Sequence, residues 1–241
     1  MKIITLNTWS VRFYEPLITF FKNHADIDVF CLQEIHHESE GKEKMFMDDA
    51  FNLFNDIRIA LPDHIGYFHP NLQDHWGTAM FVKKDIKHNL HNIYRIHHHN
   101  VLDEMNDDNY PRHMMHMVVE KNGESFSILN MHGINGAGKI DTADRIQQFS
   151  AVASLMKTIG DNCVLCGDFN LLMETESMNI LNETGFKNLV KNNGVASTRT
   201  SFYTKPDKLA DYIFVSPNIT VKDFKVLSEE VSDHAALYLE I

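Results

Sequence analysis

The sequence predicts an α/β protein in which two mixed β-sheets pack face to face, with helices on their outer sides. Three observations support this fold class. Short apolar runs typical of strands outnumber the helical patterns, some of the runs are joined by a tight turn, and others are joined by a helix. A doubly wound parallel sheet would instead alternate single strands with single helices along the chain. The mixture of hairpins and crossovers therefore favours two mixed sheets.

The first elements are predicted in the order strand, helix, strand. Residues 2–7 form an apolar run, residues 16–24 carry apolar side chains at helical spacing, and residues 28–32 form a second apolar run. A second helix is predicted over residues 43–59, where apolar side chains recur every three or four positions. Further strands are predicted over residues 65–68, 78–82 and 86–96.

A hairpin and a capped helix are predicted in the second half of the chain. Asn122-Gly123 lies between the apolar runs 114–120 and 125–131, which is a strong signal for a two-residue β-turn. Residues 142–158 are predicted to form a helix with Asp141 as its N-cap. The final strands are predicted over residues 162–165, 212–215, 220–226 and 235–240.

The composition is typical of one folded domain covering residues 1–241. Hydrophobic residues make up 44% of the chain and charged residues 23%, and no repeat or Pro/Ser-rich linker marks a boundary. No window reaches the roughly 18 apolar residues of a membrane span. No basic and apolar leader segment precedes the first strand. We therefore expect a monomeric, cytoplasmic protein without a membrane span.

The net charge argues against extended binding to nucleic acid. With 22 Lys and Arg against 33 Asp and Glu, the formal net charge is −11 at pH 7. A negative field repels polyanions, and proteins that grip duplex DNA without sequence preference present a basic face. Extended non-specific DNA binding is therefore not expected, although a divalent cation or a local basic strip would offset the repulsion.

The cysteines indicate neither a disulfide framework nor a zinc site. There are only three, and Cys163 and Cys166 lie three residues apart within a predicted strand. Side chains at that spacing point to opposite faces of a strand and do not easily hold one metal. We expect reduced, buried thiols.

Polar side chains follow the ends of the predicted strands along the whole chain. An acid, an amide or an imidazole at the tip of a buried strand points into a cleft from a rigid support. Taken alone, each such residue is more often a turn former or a satisfied polar group. The set as a whole favours an active site, and its members are Asn7, Glu34, His132, Asp168, Asn170, Asp211, Asp233 and His234.

Six short motifs around these residues resemble the motif blocks of the endonuclease/exonuclease/phosphatase superfamily. In chain order they are Leu6-Asn7-Thr8-Trp9, Leu32-Gln33-Glu34-Ile35, Asn130-Met131-His132-Gly133, Gly167-Asp168-Phe169-Asn170, Asp211-Tyr212-Ile213-Phe214 and Ser232-Asp233-His234. That group includes DNase-I-like nucleases, AP endonucleases, inositol-polyphosphate phosphatases and neutral sphingomyelinases. The resemblance implies a DNase-I-like four-layer α/β sandwich and the hydrolysis of a phosphate ester assisted by Mg²⁺ or Mn²⁺.

Three of the residues suit a magnesium or manganese site. Mg²⁺ takes oxygen ligands in a near-octahedral shell and keeps several waters. The Glu34 carboxylate, aided by the Asn7 amide oxygen and the Asp233 carboxylate, is therefore a sufficient contribution from the protein. A metal held there would polarise a phosphoryl oxygen and neutralise the charge that develops on it.

The other five residues are assigned to catalysis. Asp168 is expected to position and deprotonate the attacking water, and Asn170 to hydrogen-bond the water or the phosphate. On the family's pattern, His234 contacts the phosphoryl oxygens or protonates the leaving group, and Asp211 holds the His234 ring in one orientation. His132 is expected to face the same phosphate.

Two other patterns have weaker support. Residues 133–139 match G-x-x-x-x-G-K between a predicted strand and a predicted helix, but Ile140 stands where a P-loop has a hydroxyl residue. We expect a flexible glycine loop at the rim of the cleft instead. The run His97-His98-His99 is expected in a solvated loop, and His113 and His116 are expected on opposite faces of a strand.

The substrate is less well determined than the chemistry. Trp9 and His132 stand where AP-endonuclease-like members carry an acid and a tyrosine, which argues against cleavage at abasic sites. Residues 74–77 and the long acidic loop over residues 101–112 are candidates for substrate contact. Arg145 is predicted at the surface or in an ion pair rather than on a phosphate.

Four functions stay open on the sequence alone. The leading one is a phosphodiesterase or phosphomonoesterase acting on a small phosphate ester, a lipid headgroup or a nucleic-acid end. The second is a DNase-I-type nuclease with a local basic strip. A catalytically silent scaffold and a P-loop nucleotide binder are remote alternatives, and the scaffold is disfavoured because no metal-binding or water-positioning residue is lost.

Overall fold

Two six-stranded β-sheets organise the residues that the computed structural model describes, which are 1–40, 52–72, 74–97 and 111–241. In chain order, the strands are β1 (Lys2–Asn7), β2 (Val29–His36), β3 (His64–Leu72), β4 (Trp76–Lys83), β5 (Lys87–His97), β6 (Arg112–Lys121), β7 (Glu124–His132), β8 (Cys163–Asp168), β9 (Lys187–Asn188), β10 (Asp211–Val215), β11 (Asp223–Val226) and β12 (Leu237–Glu240). The helices are α1 (Tyr14–Asn23), α2 (Leu53–Ala60), α3 (Ala143–Ile159), α4 (Glu176–Asn182) and α5 (Leu189–Asn192), and short 3₁₀ turns lie at Trp9–Val11 and Ala137–Lys139.

Each sheet is mixed and has one pair of parallel strands near its centre. The first sheet has the order β11-β12-β1-β2-β4-β3, and the second has the order β5-β6-β7-β8-β10-β9. β1 runs parallel to β2 and β7 runs parallel to β8, while their other neighbours are antiparallel. Because parallel strands end at the same edge of a sheet, each central pair delivers two strand ends to one place.

The two sheets pack face to face, and helices cover their outer sides. Ile3 of β1 lies in the core between the sheets, whereas its neighbour Ile4 packs under α1 and α2. On the far side, α3 packs on the second sheet through Phe149, Val152 and Met156. The order helix, sheet, sheet, helix confirms the predicted four-layer α/β sandwich. No helix in the described part of the chain is long and apolar enough to cross a membrane.

The predicted hairpin and the buried thiols are both present. Lys121 of β6 pairs with Glu124 of β7, which leaves Asn122-Gly123 as the two-residue turn. Asn122 and Gly123 have φ values of 55° and 83°, and this left-handed pair of residues is what an Asn-Gly hairpin turn requires. All three cysteines are free and buried in the core.

The predicted N-cap of α3 was wrong by one residue. Thr142 caps the helix, because its Oγ1 accepts a hydrogen bond from the Arg145 amide at 3.2 Å. The Asp141 carboxylate instead accepts hydrogen bonds from the first two amides of α4, at 2.6 and 3.0 Å. A carboxylate favours the positive end of either helix, and only the packing of α4 against α3 decides which one it meets.

Three predicted segments extend beyond the described residues. Of the helix predicted over residues 43–59, residues 52–59 are described; Asn52 is the N-cap, and α2 runs over Leu53–Ala60. Of the loop predicted over residues 101–112, Pro111 and Arg112 are described, and Arg112 is the buried first residue of β6. His97 was predicted in a solvated loop, but it is the buried last residue of β5 and pairs with Arg112. Residues 98–99 lie outside the described part. The polar sequence did not predict that β5 pairs with β6 at this point, and this pairing buries the side chains of His97 and Arg112.

A buried amide pair links the two sheets close to their polar strand ends. Gln33 of β2 donates a hydrogen bond from Nε2 to Asn130 Oδ1 of β7, at 2.7 Å. Asn130 Nδ2 donates to the backbone carbonyls of Leu32 and Ala79 in the first sheet, at 3.1 and 3.0 Å. Because Asn130 is fully buried, water does not replace any of these bonds. Asn130 therefore sets the spacing of the sheets at this end.

We expect Asn130→Leu to lower the free energy of unfolding by about 2–4 kcal/mol, because the buried carbonyls of Leu32 and Ala79 lose this donor and Gln33 Nε2 loses its shortest hydrogen bond. Urea denaturation measures the change. Asn192→Leu, at an exposed position of α5, is the matched control and should alter the free energy by less than about 0.5 kcal/mol. Equal losses in the two variants would show that Asn130 does not hold the sheets together.

Candidate active site

The strand registers bring the predicted polar residues to one end of the sandwich. In the second sheet, His132 pairs with Asp168, and Asp168 pairs with Asp211. In the first sheet, Asn7 ends β1, and Glu34 lies one residue past the register partner of Asn7 on β2. The residues of the first sheet contact those of the second, since Asn7 Nδ2 lies 2.9 Å from Asp168 Oδ2. The site is thus built jointly by both sheets.

Asp168 lies at the centre of the site and is 1% exposed. Its Oδ2 accepts a hydrogen bond from Asn7 and lies 3.6 Å from Nε2 of both His132 and His234. Its Oδ1 accepts a hydrogen bond from the backbone amide of Asn170 at 2.9 Å. The carboxylate is therefore fixed in place from three directions.

Positive groups around Asp168 keep its carboxylate ionised. Burial favours the neutral acid, but the charges of His234, Arg199 and Lys139, and that of His132 when it is protonated, outweigh burial, and the pKa of Asp168 lies well below its ordinary value. An ionised carboxylate accepts hydrogen bonds and donates none. Asp168 consequently presents a negative hydrogen-bond acceptor to the site at neutral pH.

Asp211 holds the His234 ring from behind. His234 Nδ1 lies 2.9 Å from both carboxylate oxygens of Asp211, and Asp211 Oδ2 also accepts a hydrogen bond from Thr198 at 3.0 Å. His234 Nε2 therefore faces Asp168 and lies 3.7 Å from Asp233 Oδ1. Burial alone would lower the pKa of His234, but the charges of Asp211 and Asp168 raise it above its ordinary value.

The pKa of His132 is shifted in the opposite direction. Its Nδ1 lies 3.4 Å from the Arg112 guanidinium, which only donates, so Nδ1 is the acceptor and the proton sits on Nε2. Burial first, and then the charge of Arg112, lowers the pKa of His132 to about 3. The Trp76 ring packs against the imidazole with centroids 5.5 Å apart. His132 is therefore a neutral donor whose Nε2–H points towards Asp168.

A strained backbone conformation directs the Glu34 side chain into the site. Glu34 has a φ of 59° at an irregularity of β2 between Gln33 and Ile35. Its Oε1 accepts a hydrogen bond from Asn7 Nδ2 at 2.9 Å, and its Oε2 accepts one from Ser10 Oγ at 3.0 Å. A left-handed conformation outside glycine costs about 1–3 kcal/mol and persists where surrounding contacts impose it. Here the two hydrogen bonds fix the direction of the Glu34 carboxylate.

The 3₁₀ turn after β1 is strained in the same way. Trp9, Ser10 and Val11 have φ values of 52°, 48° and 66°, which is unfavourable for three consecutive residues with side chains. The turn brings Ser10 between Glu34 and Trp76, whose Nε1 donates to Ser10 Oγ at 3.2 Å. Through Ser10, the segment therefore links the Glu34 carboxylate to the Trp76 indole, which packs against the His132 imidazole of the second sheet.

Two carboxylate oxygens in the site suit a hard divalent cation. Glu34 makes no ion pair with a basic residue of the described chain, and burial raises its pKa above the ordinary value. Asp233 Oδ2 accepts a hydrogen bond from Arg199 Nη1 at 2.8 Å, but Asp233 Oδ1 is buried and has no hydrogen-bond partner among the described residues. Mg²⁺ and Mn²⁺ prefer carboxylate oxygens, so this donor set fits them.

Asn7 lies in the site as predicted, but its amide is turned away from the role of an oxygen ligand. Nδ2 donates to Glu34 and Asp168, and Oδ1 accepts a hydrogen bond from the Trp9 amide at 2.9 Å. In this orientation Asn7 holds two carboxylates close together. The amide would have to turn over before Oδ1 faced a metal beside Glu34.

A second group of potential ligand atoms comes from Asp168, Asp211 and His234, and these atoms lie within 4.8 Å of one another. His234 Nδ1 and the Asp211 oxygens already bond each other at 2.9 Å. A metal at this place would have to displace that hydrogen bond. The geometry is better described as an aspartate–histidine pair that faces Asp168.

The site opens into a cavity of about 470 Å³. Six of the eight predicted residues line it, namely Glu34, His132, Asp168, Asn170, Asp233 and His234, while Asn7 and Asp211 lie behind them. Trp76, predicted to contact substrate, also lines it. Arg112, the last residue of the loop predicted to contact substrate, lines the cavity as well, whereas sequence reasoning did not assign Arg199, Tyr203 or Lys205, which also line it. They stand singly in polar segments, and no spacing pattern marks them.

The glycine-rich segment over residues 133–139 rims the cavity, as predicted, but it does not have the form of a P-loop. Its 3₁₀ turn leads into extended backbone at Ile140 rather than directly into a helix. Arg145 was predicted at the surface or in an ion pair, and the surface placement was wrong. It is 1% exposed and donates to the carbonyls of Ile134, Gly136 and Ile140. Arg145 thus holds the segment in shape.

Comparison with known proteins gives one family match and several structural neighbours. The model of the Endonuclease/Exonuclease/phosphatase family matches residues 4–234. A mannosyl-6-phosphatase of Bacteroides thetaiotaomicron has a TM-score of 0.73 at 19% identity, covering 100% of this chain and 98% of that chain. No curated protein matches the chain in sequence.

Two further neighbours come from vertebrates. Humanized TDP2 of D. rerio has a TM-score of 0.72 at 14% identity, covering 99% of this chain and 97% of that chain. The human Nocturnin catalytic domain with bound sulfate has a TM-score of 0.66 at 17% identity, covering 99% of this chain and 92% of that chain. At these identities the neighbours establish the fold.

We expect the two imidazoles to titrate far apart in the metal-free protein. His132 should stay neutral at pH 7, and the pKa of His234 should lie above its ordinary value of 6.5. Asp211→Asn removes the largest contribution that raises the pKa of His234, so this pKa should fall. NMR titration of the imidazole nitrogens measures both groups. Asp161→Asn, an exposed acid, is the control, and an unchanged His234 pKa in Asp211→Asn would contradict the assignment.

Proposed function

The chain belongs to the endonuclease/exonuclease/phosphatase family, and from the geometry of its site we propose that it is a divalent-metal-dependent hydrolase of phosphate esters, foremost a phosphodiesterase. The observation that carries this proposal is the convergence of a neutral imidazole, an imidazole with raised pKa and an ionised carboxylate on one point. These groups match the needs of in-line attack by water at phosphorus, which are an oriented nucleophile, charge stabilisation and a proton for the leaving group.

Asp168 is the group that orients the water. Its ionised carboxylate accepts a hydrogen bond from the water and takes its proton as attack proceeds. Asn170 has a φ of 54°, in the left-handed region, and lines the cavity two residues further on. Its side-chain amide hydrogen-bonds the water or a phosphoryl oxygen. The Gly167–Asn170 turn therefore presents both groups at the end of β8.

The two imidazoles have different roles because their partners differ. His234, whose charged form Asp211 favours, contacts a phosphoryl oxygen and in that form gives its Nε2 proton to the leaving oxygen. His132 stays neutral beside Arg112 and donates its Nε2–H to another phosphoryl oxygen. The site thus combines a proton donor with a fixed hydrogen-bond donor.

Glu34 and Asp233 would hold the divalent cation, with Asn7 beside them. A bound Mg²⁺ or Mn²⁺ supplies neutralisation of the negative charge that develops on the phosphoryl oxygens. Ser10 and Asn7 keep the Glu34 carboxylate in one orientation, and Arg199 does the same for Asp233.

Our expectations of a monomer and of a cytoplasmic location stay predictions.

A DNase-I-type nuclease is the second candidate. Basic side chains line the cavity despite the net charge of −11, and Arg12 and Lys205 are exposed among them. A local basic strip of this kind offsets the long-range repulsion of a polyanion. Binding to DNA would then weaken steeply with salt, because each neutralised phosphate releases counterions.

The test is hydrolysis by the purified protein with Mg²⁺, with Mn²⁺ and with EDTA. The substrates are a chromogenic phosphodiester, a chromogenic phosphomonoester, sphingomyelin, an inositol phosphate, and single- and double-stranded DNA. We expect activity on at least one ester that EDTA abolishes and that Asp168→Asn lowers by about 10²–10⁴-fold.

Asp161→Asn, an exposed acid remote from the cavity, is the matched control and should keep full activity. Hydrolysis that survives both EDTA and Asp168→Asn would contradict the mechanism. Silence on every substrate would favour the scaffold instead. The ester that gives the signal distinguishes the phosphodiesterase, phosphatase and nuclease alternatives.

A further inference from the structure

Three basic side chains, Lys139, Arg199 and Lys205, line one side of the cavity together with Tyr203. The Nζ atom of Lys139 lies 4.7 Å from the centre of the Tyr203 ring, and the Arg199 guanidinium lies 4.2 Å from it. Lys205 is exposed and lines the same cavity. We call Lys139, Arg199 and Lys205 the basic wall. Several cations so close together repel one another unless anions compensate them.

The compensation within the protein is incomplete. Arg199 pairs with Asp233 at 2.8 Å. Lys139 donates only to the backbone carbonyls of Asp207 and Leu209, at 3.2 and 3.3 Å, although it is 5% exposed. Among the described residues, no carboxylate oxygen lies within 4.0 Å of the two lysines of the wall. Burial, followed by the charge of Arg199, lowers the pKa of Lys139 to about 8, while the charges of Asp168, Asp211 and Asp207 act in the opposite direction. Lys139 and Lys205 therefore have no ion-pair partner in the described part of the chain.

Lys139 is held in this position by the fold. It has a φ of 50° after Gly138, whose φ is 70°, so a lysine occupies strained left-handed backbone. The Leu172 amide donates to the Lys139 carbonyl at 3.0 Å. The buried Arg145 holds the carbonyls on both sides of the turn. A strained turn that fixes a buried cation at a cavity wall is preorganised for an anion.

The scissile phosphate is already provided with donors. His132, Asn170 and His234 face it from the catalytic centre, and none of them belongs to the basic wall. Arg199 lies between the two groups, bonded to Asp233 on one side and stacked on Tyr203 on the other. The lysines therefore face a region of the cavity next to the catalytic centre.

We propose that the basic wall binds a second phosphate group of the substrate, next to the phosphate that is cleaved. This inference rests on the proposed function and narrows it to esters that carry two phosphates, such as a bisphosphorylated sugar or a nucleotide diester with a neighbouring phosphate. Lysine ammonium groups bind phosphate as point charges through several N–H donors. Lys139 and Lys205 are the residues that discriminate such substrates from monophosphates.

Binding is tested in the Asp168→Asn protein with Mg²⁺, so that hydrolysis does not consume the ligand. Calorimetry compares glucose 6-phosphate with glucose 1,6-bisphosphate. We expect the bisphosphate to bind at least about tenfold more tightly, because the second phosphate gains charge-assisted hydrogen bonds. Lys139→Gln and Lys205→Gln, added to this protein, should each reduce that preference by several-fold. Lys157→Gln, an exposed lysine of α3, should leave the preference unchanged.

Lys205 is exposed, so its substitution reports on binding even if Lys139→Gln disturbs the buried turn. A second arm compares a thymidine dinucleotide with and without a 5′-phosphate. The proposal is supported if, in either arm, the ligand with the extra phosphate binds more tightly and the lysine variants lose this preference. The arm that shows the preference identifies the ligand as a sugar phosphate or a nucleic-acid end. Equal affinities in both arms, or a preference that survives Lys139→Gln with Lys205→Gln, would overturn it. Failure of the proposed function is a separate result, since it appears as absence of hydrolysis by the unmodified protein.

Discussion

The buried charge of Asp168 is the constraint on which the site depends. An ionised carboxylate loses the stabilisation of water when it is buried, and it stays charged only if donors and cations replace that stabilisation. Here Asn7 approaches from the first sheet, and His132 and the Asn170 amide approach from the second. Two sheets must therefore be aligned before one carboxylate is satisfied.

The same dependence explains why polar bonds cross between the sheets beside the site. Asn130 reaches from β7 to the carbonyls of two strands of the first sheet, and Asn7 Nδ2 of the first sheet donates to Asp168 Oδ2 of the second at 2.9 Å. Apolar packing between sheets is tolerant of small shifts, whereas these bonds have defined lengths and directions. They convert a packed sandwich into one with a fixed spacing at its catalytic end.

Partners, rather than residue type, decide what each titratable group does. His132 and His234 lie at the same distance from Asp168, yet burial and Arg112 keep the first neutral and Asp211 favours the charged form of the second. The position of the basic side chains likewise decides which groups they can meet. A chain with a net charge of −11 gathers lysines and arginines at one cavity wall, where phosphate groups would meet them.

The sequence by itself determined the fold class, the hairpin at Asn122-Gly123 and the members of the site, because these depend on short-range signals. Apolar runs predict strands, an Asn-Gly pair predicts a turn, and motifs such as Gly167-Asp168-Phe169-Asn170 keep their residues adjacent in the chain.

Only the tertiary structure decided which partner each side chain meets. Asp141 caps α4 rather than α3, Arg145 holds a loop rather than facing solvent, and Asn7 turns Nδ2 instead of Oδ1 towards the carboxylates. Arg199 and Tyr203 stand alone in their segment, and folding places them beside residues far away in the chain. Hydrogen-bond direction, burial and charge are properties of three-dimensional neighbours, and the order of residues along the chain does not contain them.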